Sequence, residues 1–417
     1  MKSILLTTTA LVAFAGAAAA EAHMDDVGTN WAADGEFGYN EEVEGGFYFA
    51  GGLAVQANAA LNADITAGVM LDVDLGFSPN TFGETGTAGS TSGAFDNISI
   101  DGSDFVIFVR SDTAALYIGD TATAAEKTWS GTTNMEADGF LEVGDVDDGP
   151  ENGDFVDGVM RGDLTIGAVE MSVSYFFGES NNQDTTDDLD GLAGLQVGGS
   201  TTFGNFTVGG TYQEGVNQAL VNAKNTDTNE DGITRDTDLD DNTGNIDELF
   251  GVFASTNFAG ADVKVAYARN VDTEASSTGI EVGYPFGPVS LGAFYSLESD
   301  GDDATDEDDN YGVSASYATG AIAVTGYYHD GQDQETGIEG SYTLGNGLAL
   351  YAGYIDNRDD IDDNYEAYAA ATYDLGGGAS LIAAYGDSGD NYGGANDEIG
   401  NAFEVNEGTT VAVSFSF

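Results

Sequence analysis

The chain has 417 residues, with 73 Asp and Glu against 9 Lys and Arg, a formal net charge of −64 and no Cys. Nine basic residues cannot build the positive surface that nucleic acid requires, so no nucleic-acid partner is expected. Without Cys there is no thiolate metal site, disulfide framework or Cys nucleophile. Such an acid excess is also a mark of disorder, but 20 Tyr and 23 Phe in regular apolar alternation point to a folded chain.

Residues 1–22 read as a secretory signal peptide. Lys2 is a short positive start, Ile4 to Ala20 is apolar, and Ala18-Ala19-Ala20 or Ala20-Glu21-Ala22 offers a small-residue cleavage site. Residues 23–417 are then the folded part. No later stretch approaches the roughly 20 apolar residues of a membrane helix. An exported chain of this kind is a secreted protein, a surface-layer protein or an outer-membrane β-barrel.

From residue 35 onward the pattern has period two. The first candidate strand covers 35–40, pairs follow through 388, and 409–417 is the last. Val263, Val265 and Tyr267 alternate with Lys264 and Ala266. Ile280, Val282, Tyr284 and Phe286 alternate with Glu281 and Gly283, and Ile338, Tyr342 and Leu344 with Glu339 and Ser341. Successive strand residues face opposite ways, so each segment has one apolar face and one polar or small face. Short links rich in Gly, Asn or Pro, such as 203–205, 258–260, 285–288, 319–320, 345–347 and 376–378, alternate with long acidic ones. The long links are 76–103, 121–157, 178–190, 216–247, 299–309, 356–363 and 387–408. Tight turns at one end and long loops at the other define an antiparallel transmembrane β-barrel, with turns in the periplasm and loops outside. The pattern gives about 20 strands, within a range of 16–20. Tyr175, Phe177, Tyr284, Phe286, Tyr317, Tyr342 and Tyr373 close apolar faces as interfacial girdles do. An apolar face opposite a face of Ser, Thr, Gly, Asp and Glu is the pattern of a barrel with lipid outside and water inside.

The chain ends Thr409-Thr410-Val411-Ala412-Val413-Ser414-Phe415-Ser416-Phe417, with Val411, Val413, Phe415 and Phe417 on one face. This resembles the C-terminal signature of Gram-negative outer-membrane proteins, in which the terminal aromatic, here Phe417, is the signal read by the barrel-assembly machinery. Leu116-Tyr117-Ile118-Gly119-Asp120 running into Thr121–Lys127 resembles the strand that enters the third external loop of alphaproteobacterial, Rhodobacter-type general porins. That resemblance implies a third loop, here 121–157, folded into the lumen, and a homotrimer embedded in outer-membrane lipid. The family usually has 16 strands, shorter chains and an arginine-rich wall facing the loop. This chain has few basic residues for such a wall: Arg161 and Lys264 are lumenal by parity, and Arg110 ends strand 104–110 near a periplasmic turn.

Fixed carboxylates in a lumen favour cations, and at 0.15 M salt their field reaches about 8 Å. The expected constriction draws on Glu126, Glu136, Asp138, Glu142, Asp145, Asp147 and Asp148, with Lys127 the basic residue beside them. The other meaning of the acid is a hydrated surface adapted to its medium. Residues 227–238 match much of the calcium-loop pattern: Asp227, Asn229 and Asp231 supply oxygens, Gly232 the turn and Asp238 the twelfth carboxylate. No cofactor is required by the pattern, and Ca²⁺ on external loops is the candidate ion. His23 and His329 are the two histidines, and neither sits in a recognisable Ser–His–acid arrangement, so no enzyme is expected. The reading is a passive diffusion porin that prefers cations. The alternatives are a substrate-preferring channel on the same barrel, with Tyr327, Tyr351 and Tyr368 as lumenal aromatics, and an acidic calcium-binding surface β-protein without a pore.

Overall fold

The computed structural model describes residues 28–42, 46–77, 99–140, 159–176, 195–215, 247–301, 308–332, 334–357, 365–389 and 398–417. The signal-peptide segment 1–22 lies outside them. The chain opens with β1 (Gly28–Asn40), β2 (Phe47–Ala60), β3 (Thr66–Phe77), β4 (Ser99–Arg110) and β5 (Ala114–Gly119). After a long inward loop come β6 (Val159–Ile166), β7 (Val169–Phe176), β8 (Gln196–Phe203), β9 (Phe206–Gln213) and β10 (Leu249–Phe258). The run continues with β11 (Ala261–Asn270), β12 (Ser276–Phe286), β13 (Val289–Ser299), β14 (Asn310–Thr319) and β15 (Ile322–Asp330). It ends with β16 (Glu335–Gly345), β17 (Leu348–Asn357), β18 (Tyr365–Gly376) and β19 (Ala379–Ser388), a small ladder of β20 (Glu398–Ile399) with β21 (Val405–Asn406), and β22 (Gly408–Ser416).

All strands except β20 and β21 belong to one 20-stranded sheet, each pairing antiparallel with its neighbours. The sheet closes on itself because β22 pairs with both β19 and β1, placing Gly35 opposite Phe415 and Gly38 opposite Ala412. Closure matters physically. An open edge in hydrocarbon leaves backbone N–H and C=O groups without partners, at several kcal/mol each.

Parity assigns the two faces. Phe37, Val313 and Ile338 are 55%, 58% and 59% exposed and point outward, with Leu291, Val265 and Phe415 on the same surface. The inner face buries polar groups: Gln196, Ser277, Ser296 and Asn310 are fully buried. This is an inside-out pattern relative to a soluble barrel, and it makes the molecule an all-β transmembrane barrel with an apolar outer belt. Tyr284, Phe286, Tyr317, Tyr342 and Tyr373 lie on the outer face near the tight turns, where amphipathic rings suit the headgroup boundary. Phe177 lies outside the described residues.

Two features depart from the sequence reading. β1 begins at Gly28 rather than at 35, because Gly28 to Asp34 pair in unbroken register with Asn58 to Gly52. Its apolar alternation there is weak, and the neighbouring strand supplies the order. The link 387–408, expected as an external loop, instead carries the β20–β21 hairpin back against the barrel wall. Ile399 and Val405 pack on Tyr368, Ala370 and Ala384 from the inner faces of β18 and β19.

Candidate functional site in the constricted lumen

The third external connection follows β5. Gly119 has φ +125°, and a Cβ there would sit 1.7 Å from the Phe105 carbonyl oxygen. Only glycine permits this bend, which turns Asp120 and the following chain inward while the Asp120 N–H bonds the same Phe105 oxygen at 3.0 Å. A five-residue helix follows, α1 (Ala124–Thr128), with a capping box: Thr123 Oγ1 accepts from the Glu126 N–H, and Glu126 Oε2 accepts from the Thr123 N–H. The loop then reaches a single 3₁₀ turn at Glu136–Asp138.

A loop buried inside a barrel must find partners for its backbone groups. The wall side chains provide them. Ser174 Oγ accepts from the Ala124 N–H at 2.8 Å, and Gln196 Oε1 from the Ala125 N–H at 2.9 Å. Ser277 Oγ accepts from the Ala137 N–H at 2.8 Å. Ser296 donates to the Thr133 carbonyl at 3.1 Å, and Asn310 Nδ2 to the Asn134 carbonyl at 3.1 Å. Polar residues on β7, β8, β12, β13 and β14 thus form a cradle, from one wall, for loop residues 124–137. Close approach is part of the fit: a Cβ on Gly279 of β12 would lie 1.6 Å from Thr132 Oγ1. Trp129 seals the loop from within, its ring near Phe140 and Phe253 and its Nε1 donating to Asp138 Oδ2 at 3.0 Å.

The lumenal basic residues take part in the same construction. Arg161, on the inner face of β6, donates from Nη1 to the Ala122 carbonyl at 2.5 Å and stacks over Tyr117. Its Nε lies 3.3 Å from Asp163 Oδ1. Lys127 Nζ bonds Asp163 Oδ2 at 2.5 Å. Lys264 Nζ, from β11, reaches the Gly131 carbonyl at 3.0 Å and Glu281 Oε2 at 4.0 Å. Arg110 sits elsewhere, at the tight-turn end of β4 over the Phe108 ring.

Among the loop acids, Glu136 Oε1 accepts from Asn310 Nδ2 at 2.8 Å. Glu126 and Asp138 hold the internal bonds given above. Glu142, Asp145, Asp147 and Asp148 lie outside the described residues, as do Asp227, Asn229, Asp231 and Asp238 of the calcium-like segment. Phe417 is exposed on the outer surface beside Phe415, with its backbone N–H bonded to the Ala33 carbonyl at 2.8 Å.

Among the described residues, a space of about 810 Å³ beside the third loop is bordered by Thr132, Thr133, Lys264, Glu281, Tyr327 and His329. His329 faces Glu335 on β16 at 3.5 Å. Tyr351 stacks on Phe403 at 4.2 Å and Tyr368 donates to Glu339, so these rings are engaged by the wall and the inward hairpin rather than forming a free aromatic row. Sequence parity identified Lys264 and Arg161 as lumenal. It did not identify Ser174, Gln196, Ser277, Ser296 and Asn310 as loop anchors, which read as generic polar wall.

Residues 215–392 match the model of a Gram-negative porin family, a span that takes in β10 to β19. No curated protein matches the chain. Among solved structures the chain is similar to a mutant of the Rh. blastica porin at 13% identity, covering 93% of this chain and 100% of that one with a TM-score of 0.36. A triple mutant of the Rhodopseudomonas blastica porin gives 14% identity, the same coverages and a TM-score of 0.35. The fold assignment rests on this chain's own strand register and closed seam.

Proposed function

We propose that the chain is a passive diffusion porin of the outer membrane, admitting ions and small hydrophilic solutes with a preference for cations. One observation carries the reading: a closed barrel, apolar outside and polar inside, holds a loop within its lumen and leaves an aqueous opening beside it. The family match over 215–392 supports it. No bond is made or broken in such transport, so the loop and wall need only shape and charge the path. Cation preference follows from the charge ratio of the chain, and from the use of Lys264 and Arg161 to bind loop carbonyls. Carboxylates therefore have few mobile cationic side chains to offset them.

The same reading includes export through the cleaved segment 1–22, insertion directed by Phe417, a homotrimer in outer-membrane lipid, and calcium held by 227–238. Detergent-purified protein in a planar bilayer under a KCl gradient tests it. Stepwise currents in threes, with a reversal potential on the cation side, are expected. Folded protein that does not insert would overturn the porin and favour an acidic calcium-binding surface β-protein without a pore. Cation preference should also shrink as salt rises, because the screening length falls from about 10 Å at 0.1 M to about 3 Å at 1 M. A preference independent of salt would place its origin outside the fixed carboxylates.

A further inference from the structure

We propose that residues 398–407 form a second inward jaw that sets the width of the pore together with the third loop, with Asn401 at its lumenal tip; this rests on the porin reading above. The segment is built into the wall as the third loop is, but by other strands. Glu339 Oε1, on the buried inner face of β16, accepts from the N–H groups of Asn401 and Ala402, both at 2.9 Å, and from the Tyr368 hydroxyl at 2.9 Å. Glu366 Oε2, on β18, accepts from the Gly400 N–H at 2.7 Å. Two wall carboxylates therefore bind three successive backbone donors, the same device by which Ser174, Gln196 and Ser277 bind the third loop. Phe403 adds a stacked contact with Tyr351, and Ile399 and Val405 bury apolar surface against β18 and β19.

The tip lies one side chain away from the opening. Asn401 Nδ2 donates to the Tyr327 hydroxyl at 2.9 Å, and Tyr327 borders the same space as Thr132 and Thr133 of the third loop. Asn401 itself is exposed. The third loop, braced on β7–β14, and the hairpin, braced on β15–β19, thus approach the opening from different parts of the wall. Thr133 and Asn401 bring a hydroxyl and an amide toward the opening, which suits hydrated ions and small polyols.

The absence of Cys makes the test direct. Asn401→Cys protein, open in a planar bilayer, is treated with a small cationic methanethiosulfonate reagent while wild-type protein serves as the unreactive control. A loss of single-channel conductance on modification is expected. Glu339→Ala, which removes the acceptor shared by Asn401 and Ala402, should raise conductance and let larger sugars equilibrate across proteoliposomes. If wild-type pores conduct but modified Asn401→Cys pores carry unchanged current, the second jaw is overturned and the porin reading stands. If wild-type protein does not conduct at all, both fall. The thiol experiment decides even where Glu339→Ala fails to fold.

Discussion

Lys264 Nζ donates to the carbonyl oxygen of Gly131 at 3.0 Å, joining the wall strand β11 to the loop that crosses the lumen. A lumenal ammonium is thereby bound to a neutral oxygen while standing 4.0 Å from the Glu281 carboxylate. The cation braces the loop and also partly offsets an acid at the opening.

Lys264→Met should separate those roles. Removing a unit charge about 4 Å from a carboxylate in water-like surroundings is worth about 1 kcal/mol. The cation-to-anion permeability ratio should rise, by up to about fivefold, with noisier single-channel current from a less anchored loop. Reversal potential under a salt gradient reads the first effect and open-channel noise the second. An unchanged ratio would remove Lys264 from the ion path.

Arg161→Ala addresses stability. The guanidinium is nearly fully buried, binds the Ala122 carbonyl, pairs with Asp163 and stacks on Tyr117. Asp163 keeps Lys127 as a partner, so the loss falls on the Ala122 carbonyl left without its charged donor, at about 1.5–3 kcal/mol. The expected result is a barrel that folds but unfolds at distinctly lower urea concentration in lipid vesicles. Arg161→Lys should recover only part of the loss, since an ammonium lacks the planar stacking surface. Equal stability of all three proteins would contradict the assignment.

Gly279→Val tests the seating of the third loop. Any Cβ at this position overlaps Thr132 Oγ1 at 1.6 Å, whereas the nearest atom of the paired strand, Ser296 Oγ, is 3.1 Å away and at the end of a side chain. The loop should be pushed off the wall into the opening. A folded, heat-resistant barrel with reduced conductance is the expected outcome. Wild-type conductance would mean that Thr132 does not rest on this wall.

Val313 and Ser314 are neighbours on β14 with opposite orientation. Arg at an outward mid-strand position costs about 2–4 kcal/mol against lipid, whereas lumenal substitutions tune selectivity. Val313→Arg should therefore lower the folding free energy measured in bilayers. Ser314→Arg should leave it near wild type and weaken cation preference. The reverse result would invert the assignment of the two faces.

Most of the barrel is visible in the sequence because a wall between lipid and water imposes period two on every strand. Ile338 and Glu339 declare their opposite sides without any neighbour. The entry of the third loop is similarly marked by Gly119 and Asp120. The loop's fixation is not visible, because Ser174, Gln196, Ser277 and Ser296 resemble any hydrated lumenal residue until a backbone N–H or carbonyl is placed against them. The hairpin in 398–407 left a fainter signal: Ile399, Phe403 and Val405 recur at even spacing within an otherwise acidic link. Its destination depends on the inner faces of β16 to β19, which no local pattern specifies.

The seam between β1 and β22 imposes an order on assembly. Gly35 finds its partner in Phe415, so hundreds of intervening residues must already be in hand before the circle can shut. Loop-closure entropy grows slowly with length, but two unpaired edges stay adhesive throughout the wait. A chain carrying a formal charge of −64 repels its own copies during that interval. The acid thus acts on the unfinished protein as well as on the closed barrel, as an electrostatic guard over strands that have nowhere yet to pair.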